Sequence, residues 1–392
     1  MARFETAVKL PSGRIYLDFN ATTPLAGPVA QALESAQREL FGNASSLYRE
    51  GRDSMAALFT ARERVAALVG CEPGEVIFTG SATEADHLAV ASALHGADPG
   101  RTRVLLSAIE HPAVFDQRDS MERKGFQVEE IPVTAQGVLD LARFEAQMGE
   151  DVALVSVMAA HNESGVLQPL EDVGRLCRHY GALFHTDAVQ ALGKVSSPWR
   201  TARPHYVAVA AHKLYGPKGI GALAARNGAP LVPLLVGGGQ EEGRRSSTEA
   251  VPLAVAFGAA CELAVKALDQ GGRLAQLRDD MERRLRKDHG AVVHGGEAPR
   301  LPNTSFFSLP GFSGPALVLA LDEAGVAIST GSACHSGGTA GPRVLKAMDV
   351  DQGLMGSVLR VSLGRESERQ DTETLLSLLP AVLKRLKGGP EA

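Results

Sequence analysis

Gly181-Ala182-Leu183-Phe184-His185-Thr186-Asp187-Ala188-Val189-Gln190 and, further along, Tyr206-Val207-Ala208-Val209-Ala210-Ala211-His212-Lys213-Leu214-Tyr215-Gly216-Pro217-Lys218-Gly219 follow the same pattern. Each opens on a short apolar run and closes on polar residues. Short apolar runs bounded by turn signals read as strands buried on both faces, as in parallel sheets covered by helices. Open sheets of this kind bind ligands beyond the carboxyl ends of their strands. The two stretches therefore predict Asp187, Gln190 and Lys213 at the ends of two neighbouring buried strands.

Outward from that pair the same alternation extends over residues 50–230. Helix 52–69 leads to strand 75–79, and a helix from Glu84 leads to strand 103–107. Helix 113–124 leads to strand 126–132, helix 140–148 to strand 152–158, and helix 170–180 to strand 182–186. Strands 206–211 and 220–225 follow. Strands alternating with helices predict an α/β fold with a mostly parallel sheet covered on both faces. Thr83, Asn162, Asp187 and Lys213 would all fall just after strands. Residues 250–290 read as long helix, with the charges of 273–289 on a solvated face. Strand 303–309, helix 315–324, strands 326–330 and 359–363, and a last helix over 370–387 predict a smaller α+β domain. The expected division is a large domain over 16–262 and a small one from 1–15 and 263–392.

The chain has 392 residues, 44% apolar and 22% charged, which suits two soluble globular domains. A net charge of −5 gives no basic field, so no direct nucleic-acid partner is expected. The N-terminal Met-Ala-Arg-Phe-Glu-Thr-Ala has no apolar core of a signal peptide, and no apolar run is read as spanning a bilayer. A cytoplasmic location without a membrane partner is expected. Cys71, Cys177, Cys261 and Cys334 show no metal-ligand spacing, and the first three read as core fillers.

Asp187, Gln190 and Lys213 together suit a cofactor with a pyridine nitrogen, a ring hydroxyl and an aldehyde. Asp187 would pair with the protonated nitrogen, Gln190 would bond the hydroxyl, and Lys213 would join the aldehyde as a Schiff base. That set points to pyridoxal 5'-phosphate. Phe78-Thr79-Gly80-Ser81-Ala82-Thr83-Glu84-Ala85 joins a strand to a helix and could expose N–H groups to a phosphate, or Ser81 or Thr83 could simply cap the helix. His111 could lie over the cofactor and move protons, or cap a turn. Asn162 could bond the ring hydroxyl or a substrate carboxylate, or only shape a turn. The glycine-rich loop 237–248 could be a surface connection or an anion contact. Ser329-Thr330-Gly331-Ser332-Ala333-Cys334-His335-Ser336-Gly337-Gly338 places a single Cys on a small-residue loop, where His335 could help form the thiolate. Arg365 follows a strand and could hold a carboxylate with both arms of its guanidinium.

Over nearly its whole length, from Tyr16-Leu17-Asp18-Phe19-Asn20-Ala21-Thr22-Thr23-Pro24 to Ser362-Leu363-Gly364-Arg365, the chain resembles the cysteine desulfurases of the class-V aminotransferase group, the NifS/IscS type. Ala82-Thr83-Glu84, Glu110-His111, Asn162-Glu163, Asp187-Ala188-Val189-Gln190, His212-Lys213 through Gly219, and Gly331-Ser332-Ala333-Cys334 recur in that family's order. The resemblance implies a fold-type I homodimer with pyridoxal phosphate on Lys213. Ala82 and Thr83 match the phosphate loop, His212 precedes the cofactor lysine, and Thr248 matches a threonine that reaches the phosphate of the partner's cofactor. L-cysteine would be the substrate and Arg365 its carboxylate anchor, with His111 shuttling protons. Cys334 would take the sulfur as a persulfide and hand it to an acceptor such as an iron–sulfur scaffold or carrier. The long Cys-bearing segment resembles the subgroup that makes such transfers.

The chain also departs from the family pattern. Ala210 stands for a hydroxyl residue, Tyr48 for a His, Ala44 for a Pro and His161 for a common Asn. Gly80-Ser81 inverts the usual order, and His335 follows the Cys, a sequence shared with selenocysteine lyases. A selenocysteine lyase or another C–S lyase is the alternative reading, and a non-enzymatic partner in sulfur trafficking is a third.

Overall fold

The structure, a computed structural model, describes residues 13–196, 199–331 and 341–388. In chain order the first part holds β1 (Ile15–Tyr16), α1 (Gly27–Glu39), α2 (Arg49–Val69), β2 (Val76–Thr79), α3 (Ala82–His95) and β3 (Arg103–Ser107). Next come α4 (Pro112–Phe115), α5 (Arg118–Arg123), β4 (Gln127–Ile131), α6 (Leu141–Gln147), β5 (Val152–Ser156), α7 (Leu170–Tyr180) and β6 (Leu183–Asp187). Then follow α8 (Trp199–Ala202), β7 (Tyr206–Ala210), β8 (Gly221–Ala225), α9 (Val251–Ala267) and α10 (Gly271–His289). The rest is β9 (Val292–Val293), β10 (Thr304–Ser308), α11 (Gly314–Glu323), β11 (Val326–Ala327), α12 (Arg343–Ala347), α13 (Gln352–Met355), β12 (Val358–Ser362) and α14 (Arg369–Gly388).

Seven strands form one sheet in the order β2-β8-β7-β6-β5-β3-β4. The neighbours among β7, β6, β5, β3 and β4 are parallel, and β8 runs antiparallel to both β7 and β2. The reversal at β8 has a length cause. Residues 211–220 are too few for a helical crossover, which needs a dozen or more. The chain turns back directly instead, and Lys213 sits in that turn. Because β8 is reversed on both sides, β2 again points the same way as β7. Thr79, Ser107, Ser156, Asp187 and Ala210 therefore all end at one edge of the sheet.

Both faces of the sheet are buried. One face packs Val155, Phe184, Val207 and Val209 against a core that includes Leu58, Val65 and Phe257 from α2 and α9. The other packs Ile77, Leu106, Leu154 and Tyr206 beneath Leu88 and Ala89 of α3. The buried runs of β5 and β7 are apolar along nearly their whole length for this reason.

The smaller part builds on the three-stranded sheet β12-β10-β9 with α10, α11 and α14. Its core includes Leu17, Met281, Leu285, Phe307, Leu321 and Leu379. β1 pairs with β11, so Leu17 packs in this core while Phe19 packs in the large one. The chain crosses between the two bodies at 17–19.

Three sequence expectations need correction. Helix α1 is absent from the predicted pattern; Pro28 at its start fits the first helical turn. The single helix expected over 113–124 is two short ones, because the chain bends at Asp116–Gln117. The expectation that no run could span a bilayer also needs amending. A window within Val251–His289 is long and apolar enough by length and composition, but half of it is buried. Helix α9 lies across α1 and α2 and supplies Phe257, Ala260 and Ala264 to the core, as a core helix does.

Candidate active site

A cavity of about 470 Å³ opens at the carboxyl edge of the seven-stranded sheet. Thr83, His111, Asn162, Asp187, Gln190, His212 and Lys213 all line it, and Ala82, Ala210 and Lys218 complete its wall. They come from several different strand ends, so only the sheet order brings them together.

Lys213 lies in a short 3-10 turn after β7. Its Nζ donates to the carbonyls of Asn20 at 2.6 Å and Ala21 at 2.7 Å. The turn is held two residues on by Tyr215, whose φ of 63° is in the left-handed region that side chains disfavour. Thr23 Oγ1 accepts from the Tyr215 N–H at 2.8 Å, and the Tyr215 hydroxyl accepts from the Arg365 N–H at 2.7 Å. These contacts fix the direction in which Lys213 leaves the backbone.

Asp187 ends β6, and its Oδ1 accepts from the Val189 N–H at 2.9 Å. Burial pushes this carboxyl up, while His111, the Val189 N–H and Lys213 pull it back. A buried carboxylate facing a cavity is suited to pairing with a cationic ring nitrogen. Gln190 donates from Nε2 to the Asn20 carbonyl at 2.9 Å, and its Oε1 accepts from Lys194 Nζ at 2.8 Å. Lys194 also donates to Asn20 Oδ1 at 2.9 Å. Burial and the cations Lys213, Arg360 and Arg365 push this ammonium well below its ordinary range.

His111 caps α4, with Nδ1 accepting from the Ala113 N–H at 3.1 Å. That bond places the proton of the neutral ring on Nε2. Burial lowers the pKa of His111 against the pull of Asp187, and the charges of Lys213 and Arg343 add to the lowering. A ring held neutral beside a lysine can take up and return a proton. His212 bonds Thr22 Oγ1 through Nδ1 at 3.1 Å, and burial with Lys213 and Lys218 lowers its pKa to about 4.

The loop after β2 leads into the N-terminus of α3 beside the cavity. Ser81 caps α3 by accepting from the Glu84 N–H at 3.1 Å, and the Gly80 N–H donates to Glu84 Oε2 at 2.7 Å. Ala82 and Thr83, in the first turn of α3, line the cavity at the positive end of the helix. Gly221 permits the close approach. A Cβ there would meet Ser81 C at 2.6 Å and Ala82 N at 2.7 Å.

Two predicted residues lie elsewhere. Thr248 is exposed and lines an adjoining hollow of about 190 Å³ with Thr79, Gly80 and Arg245. Its loop is anchored by the buried pair Arg62–Glu241, at 2.7 and 2.9 Å, and by Arg245–Glu84 at 2.7 Å. Arg365 lines a second cavity behind Lys213 and stacks its guanidinium 4.8 Å above the Tyr215 ring. Cys334 and His335 lie outside the described residues. Tyr48 is exposed at the start of α2, away from the cavity lining. Cys177 and Cys261 are buried and Cys71 is partly buried.

Sequence reading missed several buried residues of the site. Asn20 is a hub for Lys213, Gln190, Lys194 and Asn303. Arg360 donates from Nη1 to the Asn162 carbonyl at 3.1 Å and from Nη2 to Asp18 at 2.7 Å, and its Nε has no hydrogen-bond partner among the described residues. Asp86 lines the cavity from α3, and Glu110 lies beneath His111. The available signal for Asp86 and Glu110 is a charged residue within an otherwise apolar helix face or strand end.

The sheet order defines an α/β fold with a lysine, a carboxylate and an imidazole gathered in one cavity at the carboxyl edge. The chain belongs to the aminotransferase class-V family, whose pattern it matches over residues 15–375. It is 42% identical over 377 residues to a cysteine desulfurase of Cereibacter sphaeroides, covering 95% of this chain and 97% of that one. Among solved structures, a NifS-like protein superimposes with a TM-score of 0.88 at 34% identity, over 95% of this chain and 99% of the other. SspA in complex with cysteine superimposes with a TM-score of 0.78 at 28% identity, over 89% and 98%.

Proposed function

We propose that this protein is a pyridoxal phosphate-dependent cysteine desulfurase that converts L-cysteine to L-alanine. The observation that carries this reading is the convergence of Lys213, Asp187, Gln190 and His111 on one cavity beside the Ser81–Thr83 loop. The family and its desulfurase relatives support it. The cavity fits the cofactor on its own chemistry. It offers an amine, a buried carboxylate, an amide and a glycine-permitted anion cradle, all at one edge of the sheet.

When bound, pyridoxal phosphate supplies an electron sink for the substrate's α-carbon. Lys213 would hold it covalently; its amine reaches the carbonyls of Asn20 and Ala21 and, when free, would take the α-proton. Asp187 would hold the proton on the ring nitrogen, and Gln190 would bond the ring hydroxyl. The N–H groups after Ser81 would hold the phosphate, and His212 lines the same cavity. His111, neutral with its proton on Nε2, moves protons near the reacting carbon. Asn162 and an arginine take the substrate carboxylate. Arg365 has to leave the Tyr215 ring to do so, whereas Arg360 already lies against Asn162 with a free Nε.

Cys334 attacks the substrate sulfur as a thiolate. The S–S bond forms as the Cβ–S bond breaks, the electron pair stays with the substrate carbon, and protonation gives the methyl group of alanine. The persulfide then passes to an acceptor protein, of the kind that an iron–sulfur scaffold or carrier represents. We further propose a homodimer. Thr248 is absent from the lining of its own chain's cavity, and apolar side chains stand exposed on α2, on the loop before it and on the loop that carries Thr248, among them Phe59 at 54%, Leu47 at 88% and Val236 at 80%.

The deciding test is Cys334→Ser with L-cysteine. The variant is expected to form no alanine, while wild type carries one extra sulfur on Cys334 by mass spectrometry. Full-rate alanine from the variant would move the reading to a selenocysteine lyase or general C–S lyase.

A further inference from the structure

Beneath the cavity lie four fully buried groups that the reaction above does not use. Asp86 Oδ1 lies 3.2 Å from His185 Nε2, out of hydrogen-bond alignment, and neither buried atom has a hydrogen-bond partner among the described residues, so a proton between them would serve both. His185 Nδ1 lies 2.9 Å from Ser156 Oγ, which lies 3.3 Å from Glu110 Oε2. Glu110 Oε1 accepts from the Met158 N–H at 2.6 Å. Ser156 and His185 are register partners on β5 and β6, so their side chains leave the same face of the sheet, the face Asp187 shares two residues on. Asp86 reaches that face from α3 and opens on the cavity, and Glu110 ends the chain next to His111.

We propose that Asp86, His185, Ser156 and Glu110 form one proton-shifting chain that places a single negative charge either at the cavity wall or behind His111. They are then positioning residues for Asp187. The proton count forces two states. Three gaps separate four groups, and each gap needs one proton. In one state Asp86 is protonated and donates to Nε2, Nδ1–H donates to Ser156, and the serine hydroxyl donates to ionised Glu110. In the other, protonated Glu110 donates to Ser156, the hydroxyl donates to Nδ1, and Nε2–H donates to ionised Asp86. Both states hold the same three protons, a neutral imidazole and one carboxylate. A concerted shift of three protons interconverts them, and nothing enters or leaves.

The electrostatics agree with this count. Three carboxyls buried together cannot all be ionised without a large desolvation cost. Burial and the neighbouring carboxyls raise Asp86 well above its ordinary range, burial and Asp187 raise Glu110 to about 8, and burial lowers His185 to about 3. The charges facing these groups are Asp187 on β6, Lys213 after β7, His111 and Arg343. Arg343 donates to the Glu110 carbonyl and stacks on Phe115, so it favours the charge on Glu110. Asp187 pushes both carboxyls up, so a cation paired with it eases the charge on either, and the shift decides whether that charge opens on the cavity or lies behind His111.

The inference rests on the proposed reaction only for its use, and its test reads the chain itself. Full-length protein with ¹⁵N-labelled histidine is compared as wild type, Asp86→Asn and Glu110→Gln, with the His185 signals assigned by their loss in His185→Gln. In Asp86→Asn the new amide can donate to Nε2, so that variant is expected in the Nδ1–H tautomer. In Glu110→Gln the new amide can donate to Ser156, so that variant is expected in the Nε2–H tautomer. In the cofactor-loaded enzyme the pH transition of the visible band is expected to be higher in Glu110→Gln than in Asp86→Asn, by roughly one unit. The same His185 tautomer in both variants would overturn the proposal. Should either variant fail to fold, wild type decides alone: His185 is expected to stay uncharged down to about pH 5, and a charged ring near pH 6 would break the chain. Absence of any visible band would sink the cofactor reading while leaving the tautomer result to stand or fall by itself.

Discussion

Lys213 holds two backbone carbonyls, and both belong to the Asn20–Ala21 segment. Lys218 lines the same cavity, so the covalent role has a rival. Lys213→Ala is expected to abolish turnover and the visible absorbance of lysine-linked cofactor. Borohydride reduction of the loaded wild type, followed by peptide mapping, should find the cofactor on Lys213, and its recovery on Lys218 would reassign the role. His161 gives a prediction about stability. It is buried, its Nδ1 accepts from the N–H groups of Glu163 and Ser164 at 3.3 and 3.1 Å, and its pKa falls from 6.5 to about 3. A base depressed in the folded state contributes stability that is complete above its unfolded pKa and lost as pH falls through the folded one. Between pH 6.5 and about 3 the wild type should therefore lose stability. Asn in place of His keeps an acceptor for the same N–H groups and removes the titration. Urea melts of His161→Asn should show a shallower pH slope over that window, and an unchanged slope would remove His161 as its cause.

The approach of α3 to β8 is the critical contact among the elements. A Cβ on Gly221 would sit 2.6 Å from Ser81 C, 2.7 Å from Ala82 N and 2.8 Å from Val209 O, all backbone atoms that cannot rotate away. Gly221→Ala should therefore push the anion loop off the strand. An overpacking cost of about 1–3 kcal/mol is expected in thermal or urea melts. Pyridoxal phosphate affinity, read by titrating the cofactor-free protein, should fall at least roughly tenfold, since about 1.4 kcal/mol is a factor of ten. Unchanged affinity would show that the loop does not hold the phosphate. The elements themselves were largely readable. Helix α7 runs over the predicted 170–180 because its apolar residues recur at helical spacing and Gly181, at φ 69°, ends it in the left-handed conformation. Helix α1 was not readable, because its buried face is carried by few residues, Val29 and Ala36 among them, and α9 supplies the rest of the contact.

For the whole molecule, Met55 and Phe59 stand exposed on α2, whose Leu58 lines the same hollow as Thr248. Phe59→Asp should shift the protein from dimer to monomer in light scattering and weaken cofactor binding through loss of the partner's Thr248, while a dimer unchanged at micromolar concentration would place the interface elsewhere. Legibility of the site followed distance along the chain. The fold class and the positions of Asp187, Gln190, His212 and Lys213 could be read directly, because a buried strand followed by polar residues is a local pattern set by side-chain burial and turn chemistry. The neighbours in the sheet and the crossing of the chain at 17–19 could not, because each depends on which strands pair, a choice made by long-range packing. For the same reason Arg365 was readable as an arginine after a strand but not as one stacked on Tyr215, and Asn20 was invisible as the hub for Lys213. The sequence by itself determined which chemical groups stand at strand ends. Only the tertiary structure decided which of them share a cavity and that Asp86, His185, Ser156 and Glu110 touch, since those contacts join strands and helices far apart in the chain and exist only once the sheet has closed around them.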